Sequence, residues 1–339
     1  MKKPTLRSVA AEAAVSVATA SQVLRGVGRI SEETREKVLN AAQRLNYVPD
    51  GRAASMRSGE VREVGLLVHH VSNPFNAEVV SGVTDYLDSQ GYLASVLDSR
   101  DDATRQRRQI ELLVRNTRAG LMWVPALDTP PETVALLRAH AVPNVTFLRH
   151  APNHAADHVG VHNSAATRIA TAHLADLGHR HIAYLGGNLD VESRRDRIAG
   201  YREIMTQRGL AAQIVWPCED SRKAGMVAFQ QLHREHPEIT AIVCNGDMIA
   251  LGASLALSRA GLRPGEDISI VGFDGIEEAA LAAVPLTTIS IRPYSLGQTL
   301  AETLIRRIRA PMAQYAELLV HGELTQGATS CAVREHPAA

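Results

Sequence analysis

The side chains best suited to reading a polar partner gather near the start of the chain, in "SVATASQVLRG", Ser16 to Gly26. Ala20, Val23 and Leu24 recur at spacings of three and four, which predicts an amphipathic helix. Its opposite side carries Ser16, Thr19, Ser21, Gln22 and Arg25, which are short-armed, hydrogen-bonding and almost uncharged. A helix that faces only water more often carries Glu and Lys in i, i+4 pairs. Short outward side chains instead let a helix backbone come close to base edges in a major groove.

Catalytic chemistry finds no residues to name. There is no GxGxxG, since "YLGGNLD" has the wrong spacing, and no GxSxG, HExxH or Walker A sequence. Cys218, Cys244 and Cys331 are far apart and form no CxxC, so neither a disulfide framework nor a zinc module is expected. His150, His154, His158 and His162 recur every four residues, which on a helix would make a metal-binding row. Pro152 and the strand-like "HVGVHN" argue against a helix there. Solvated loop histidines are expected, with no metal and no cofactor.

The 339 residues, 45% of them hydrophobic, exceed one ordinary domain. Lys+Arg and Asp+Glu balance at 36 each, but the first 60 residues hold ten basic side chains against six acidic ones. A basic head on an acidic body fits a nucleic-acid partner. "MKKPTLRSVA" lacks an apolar stretch behind its lysines, and no run approaches eighteen apolar residues. The expected location is the cytoplasm, without a membrane.

These side chains are positioned by three short helices predicted within residues 5–46. The first runs from about Thr5 to Ala13 with Leu6, Val9, Ala10 and Ala13 inward; the second is the stretch quoted above. The third starts at Ser31, with Glu32 and Glu33 favourable to its dipole, and ends near Asn46 and Pro49. Residues 1–48 are therefore read as a helix-turn-helix head, and residues 49–61 as a hinge linker. Beyond it, strands such as "EVGLLVHH", "AGLMWVPA", "HIAYLGG" and "ISIVGFDG" alternate with helices near 76–90, 104–116, 131–141, 164–177, 192–208, 221–235 and 247–260. Such β-α alternation predicts an α/β fold of two doubly wound parallel-sheet lobes, with a cleft at the carboxyl ends of the strands.

"TLRSVAAEAAVSVATASQVLRG", "ISEETREKVLNAAQRLNYVPD", "SNPFNAEVVSGV", "LADLGHRHIAYLGG", "RIAGYREIM" and "VGFDGIEEA" resemble, in order, the lactose/galactose repressor family of bacterial transcription factors. The resemblance runs from about Thr5 to Ser330. It implies a homodimeric repressor with a DNA-binding head, a hinge helix and a body like a periplasmic sugar-binding protein. In this reading 62–339 is the effector-binding and dimerisation domain. Lobe 1 spans about 62–160 plus 292–323, and lobe 2 about 161–291 plus 324–339. The implied partners are a palindromic operator DNA and a small effector, a sugar or sugar derivative. No leucine heptad follows up to "AVREHPAA", so a dimer is expected rather than a tetramer.

Carried over position by position, the resemblance places Val17, Ala18 and Gln22 among base-reading residues. Ser16, Thr19, Ser21 and Arg25 fall at phosphate contacts, and Thr5 and Arg29 join the DNA-binding set. Ala53 and Met56 match hinge positions that enter the minor groove, Met56 as an apolar wedge. In the cleft, Arg197, Asp247 and Asp274 match the effector-binding Arg and the hydroxyl-binding acids. Phe75 and Trp123 are expected as apolar or stacking surfaces.

Several positions depart from the family pattern. Gln22 stands where Arg is usual, which shifts base preference from guanine toward adenine. Ala14 replaces the usual turn Gly, at a cost of roughly 1 kcal/mol if the turn needs positive φ. Gly246 stands in place of Asn, Asp220 in place of an aromatic, and Ile291 in place of a polar residue. His70 and Arg149 occupy places where Asp is frequent. Acids exchanged for bases in lobe 1 favour an anionic effector over a neutral one, although Asp220, Asp247 and Asp274 on lobe 2 temper this.

Overall fold

The computed structural model describes residues 3–48, 61–116, 118–153, 155–187, 191–210 and 213–333. They divide into two compact units between Val61 and Arg62. Ala53 and Met56 lie outside the described residues.

The first unit holds α1 (Leu6–Glu12), α2 (Val17–Leu24) and α3 (Glu32–Arg44). Each begins where a hydroxyl can satisfy the free N–H groups of a first turn. Thr5 and Ser8 form a reciprocal capping box, Ser16 accepts from Thr19 N, and Ser31 accepts from Thr34 N. Val9, Ala10, Ala13, Ala20, Val23, Val38, Ala41 and Ala42 close into one small core. So few large side chains meet there that the core depends on tight helix approach, secured by the turn between α1 and α2. Ala14 holds φ at +54° in that turn, a conformation that costs an L-residue with a β-carbon.

The second unit contains two six-stranded sheets. The first has the order β11-β5-β4-β3-β1-β2, where β1 is Glu63–Val68, β2 Leu93–Asp98, β3 Gly120–Trp123, β4 Asn144–Phe147, β5 Asp157–Val161 and β11 Glu317–Val320. The second has the order β12-β10-β9-β8-β6-β7, where β6 is Ile182–Leu185, β7 Ile214–Trp216, β8 Ala241–Cys244, β9 Ser269–Asp274, β10 Thr287–Ser290 and β12 Glu323–Thr325. All pairings are parallel except β12 on β10, an antiparallel edge. The central strands are buried end to end, which requires helices on both faces.

The chain passes between the sheets after β5, after β10 and after β11, so the two lobes share three short crossovers. The helix α4 (Pro74–Ser89) and the long helix α12 (Pro293–Arg309) pack on the first sheet at very close range. A β-carbon at Gly82 would lie 1.9 Å from the Tyr294 carbonyl oxygen, and one at Gly297 would lie 2.2 Å from that of Val79. Arg307 of α12 then pairs with Asp157 at the start of β5, at 2.6 Å and with both side chains buried. Three further N–H contacts from Arg307 go to the carbonyls of Pro311, Ala313 and Gln314, fixing the approach to β11.

Replacing Ala14 by Gly removes the strained β-carbon while keeping the turn. Thermal or urea unfolding of the isolated transition of the head should show a gain of roughly 1 kcal/mol. No gain would mean that the turn is relaxed with alanine in place.

Candidate functional site: a cleft between two sheets and an exposed helix face

In the first unit, Ser16, Val17, Ala18, Gln22 and Arg25 are exposed, Thr19 and Ser21 are half-buried, and Thr5 and Arg29 are exposed. Val17 is 43% exposed, unusual for a valine that opens a helix and unneeded by the core. Ser16 Oγ and Thr19 Oγ1 lie 2.8 Å apart, and Arg25 Nε donates to the Ser21 carbonyl at 3.1 Å. No carboxylate stands on α2, so an anionic surface meets no repulsion there. The face is short-armed because Ala18 and Ser21 flank Gln22, whose amide projects beside Gly28.

In the second unit, a cavity of about 690 Å³ opens at the carboxyl ends of both sheets. The first sheet contributes His69, His70, Phe75, Asp101, Leu148 and Arg149, and the second contributes Arg194, Arg197, Glu219, Asp220, Asn245 and Asp274. Of the sequence-expected residues, His70, Phe75, Arg149, Arg197, Asp220 and Asp274 therefore meet in one cavity. Phe75 arrives there because Asn73 caps α4 with Pro74 in its first turn.

Arg197 is the organising cation. Its Nε donates to Asn163 Oδ1 at 2.8 Å, an Nη donates to the Asn245 carbonyl, and its guanidinium lies 3.6 Å over the Phe273 ring. Asp274, 8% exposed, ends β9 with φ at +120°, backbone strain of the kind that accumulates at binding sites. Burial pushes its carboxyl well above the ordinary range, Arg197 pulls it down, and Asp247 and Asp220 push it further up. Asp220 is pushed up by the protein crowded around it, against Arg197 and then His70. Asp220 remains open to water in the cleft, which screens its charge more than that of the buried Asp274.

Two expected site residues play other parts. Asp247 does not line the cavity. It is fully buried, and its carboxylate accepts from Gly275 N at 2.8 Å, Ile276 N at 3.0 Å and Thr288 Oγ1 at 2.6 Å. Burial pushes it up to about 7 against those donors, and Asp220 adds to the rise. It is an anchor for the loop that carries Asp274. Trp123 offers no stacking surface either. The period of two along β3 sends it with Leu121 to the face covered by Ile110, Leu113, Val134 and Leu137, and it is fully buried.

Arg149 also differs from expectation. Its Nη1 meets Asp101 Oδ1 at 2.6 Å, with both side chains largely shielded. Burial raises Asp101, but the hydrogen bond and charge of Arg149 outweigh it and hold the carboxyl below its usual range. Arg149 is thus answered from within, which leaves His70 as the other of the two bases on which the expectation of an anionic effector rested. Asp101, Arg194, Asn163 and Asn245 went unread in the sequence. The available signal was position, since each lies on or next to a loop or helix start at the strands' carboxyl ends.

The histidine row is not a set of solvated loop residues. His158 lies buried in β5, its Nδ1 2.9 Å from Thr146 Oγ1, and His150 stacks on it at 3.7 Å. His150 also reaches Glu192 at 3.0 Å and Glu317 at 3.4 Å. His162 stacks on His321 at 4.4 Å across two crossovers, and His154 lies outside the described residues. Among the described residues no group of three or more such side chains is arranged to hold a metal ion, and no helix is long and apolar enough to cross a membrane.

Residues 5–50 match the model of the bacterial regulatory proteins of the lacI family, and residues 171–330 match that of the periplasmic binding protein-like domain. The ribose operon repressor of Haemophilus influenzae is 32% identical over 333 residues, covering 98% of each chain. The chain belongs to the lacI family. The maltose regulon regulatory protein MalI of Escherichia coli is 31% identical over 334 residues, 95% of this chain and 98% of its own. A lac repressor dimer bound to operator and an anti-inducer superposes with a TM-score of 0.86 at 28% identity, covering 98% of this chain and 100% of that one. These lacI-family relatives are regulators, not enzymes.

Burial pushes His158 down to about 4, with His150 adding to the fall and Glu192 opposing it. Folded protein then binds fewer protons than unfolded protein between about 6.5 and about 4. The stability from neutral His158 is present above about pH 6.5 and lost as pH falls toward 4. His158→Gln should reduce the acid-induced loss by up to about 2 kcal/mol, read from urea unfolding at about pH 7.5 and about pH 5. Asp247 acts in the opposite sense, so the comparison is between variant and wild type; identical pH slopes would contradict the assignment.

Proposed function

We propose that the chain is a dimeric, cytoplasmic transcriptional repressor that binds a palindromic operator and whose operator affinity is set by a small polar effector in the cleft. The observation that carries this reading is the pairing of two features in one lacI-family chain. One is an exposed, mostly short-armed, carboxylate-free helix face, and the other is a half-open cavity at the carboxyl ends of two sheets on which charged and amide side chains converge. Two-fold symmetry follows from the mode of reading, since each protomer of a dimer addresses one half-site. The effector is a sugar or sugar derivative, because Arg197, Asp220 and Asp274 converge as donors and acceptors suited to hydroxyl groups.

On α2, Val17, Ala18 and Gln22 are the proposed base-reading residues, while Ser16, Thr19, Ser21 and Arg25 hold phosphates. Thr5 and Arg29 extend the backbone contacts, and Ala53 and Met56 are proposed to enter the minor groove. Effector and operator act on each other reciprocally, through whichever lobe arrangement each prefers.

Binding-site selection from random duplexes tests the reading. An imperfect palindrome should emerge, bound with an affinity that falls steeply with salt. Gln22→Arg should move one symmetric step of the selected site toward guanine, because Arg pairs with guanine O6 and N7 whereas Gln suits adenine. An unchanged motif in the variant would show that Gln22 does not read a base, and no selected motif at all would overturn the repressor assignment.

A further inference from the structure

The corner of the cleft around Gly246 holds more carboxylate than its own cations answer. Arg149 is committed to Asp101, and the Asp247 carboxylate is committed to Gly275, Ile276 and Thr288. Glu219, Asp220 and Asp274 remain on the cavity wall, against Arg194, Arg197 and the imidazole of His70. Arg197 already gives N–H groups to Asn163 and Asn245, and Arg194 Nε donates to the Gly186 carbonyl at 3.2 Å.

Asp220 and Asp274 converge because residue 246 has no side chain. A β-carbon there would lie 3.0 Å from Asp220 Oδ1 and 3.2 Å from Asp274 Oδ2. The absent side chain at 246 makes room for a second carboxylate opposite Asp274. Asp274 accepts the N–H of Asp247, whereas among the described residues Asp220 is stabilised by charge alone, from Arg197 and His70.

Three carboxylates facing Arg194, Arg197 and the imidazole of His70, with both arginines already hydrogen-bonded to the protein, cannot all stay ionised at low cost once lobes close over them and water leaves. A neutral sugar brings O–H donors but no charge, so its binding must leave one acid protonated. A phosphate or carboxylate makes the imbalance worse. An ammonium group brings three donors and the missing charge together.

We propose that Asp220 and Asp274 form a subsite for a protonated amine, so that the effector is an amine-bearing polyol such as an amino sugar. The proposal rests on the cleft being the effector site, and it fails separately from that reading. Calorimetric titration of the full-length protein at neutral pH compares matched pairs, D-glucosamine with D-glucose and D-galactosamine with D-galactose, alongside D-glucose 6-phosphate. The amine of at least one pair should bind about tenfold more tightly than its hydroxyl partner, with the phosphate weakest. Asp220→Asn, which keeps shape and removes charge, should bring the members of a pair to within about twofold of each other. Gly246→Ala should do the same by crowding both carboxylates, and melting curves establish that each variant is folded. Equal or tighter binding of the neutral or phosphorylated sugar, a preference that survives Asp220→Asn, or no binding in either pair overturns the amine subsite. Sugar binding without amine preference would leave the cleft standing as the effector site, and operator selection addresses the repressor reading independently.

Discussion

The buried carboxylate of Asp247 is the interaction on which the binding cleft depends. It stands in the first turn of the helix Asp247–Arg259, yet it reaches two main-chain N–H groups beyond β9 and a hydroxyl on β10. One side chain thus ties together the start of a helix, the end of one strand and the middle of the next. Room for it exists because Gly272 carries no β-carbon, which would otherwise lie 2.1 Å from Asp247 Oδ1. Losing those acceptor contacts would leave three buried donors unsatisfied, at roughly 1–3 kcal/mol each. The same contacts hold the Asp274 backbone at a φ that no free aspartate would prefer. Asp274, on the cavity wall, is therefore positioned by a second acid that does not line the cavity.

Electrostatics in the cleft are arranged in pairs, with one exception. Arg149 with Asp101, and Arg307 with Asp157 farther off, are cations matched to shielded carboxylates. Such pairs contribute little net stability but fix geometry, since removing either partner strands a charge. Around Gly246 the matching stops, and unmatched charge at the wall of a cavity is a statement about what enters it. The helix face of the head is the converse case, a surface without acids and with mostly short side chains, which an anionic partner can approach closely.

Much of this was legible in the sequence because its signals are periodic. The three head helices start at Thr5, Ser16 and Ser31, as hydroxyl caps before apolar stripes indicate, and the β-α alternation from Val64 to Asp274 reads directly as two parallel sheets. The segment after it was harder. The strand Thr287–Ser290 contains little apolar sequence, and β12 runs antiparallel, so only the family resemblance implied the returns between lobes. Within the site, residue type was legible and direction was not. Asp247 matched a binding position but turns inward, and Trp123 ends a cleft-facing strand but points to the opposite layer. Arg149 looked like an available cation until the fold brought Asp101, 48 positions earlier, against it. Such long-range partners leave no local trace in sequence.

The most direct test of this account is amide hydrogen exchange at Gly275 and Ile276 in wild type and in Asp247→Ala, which removes the acceptor outright. The account predicts strong protection in wild type. In the variant, exchange should accelerate at these two amides well beyond any change in the strands Ala241–Cys244 and Ser269–Asp274, and Asp274-dependent ligand binding should be lost with it. Unchanged protection at both amides, with ligand binding lost or retained, would contradict the claim that Asp247 positions the cleft rather than belonging to it.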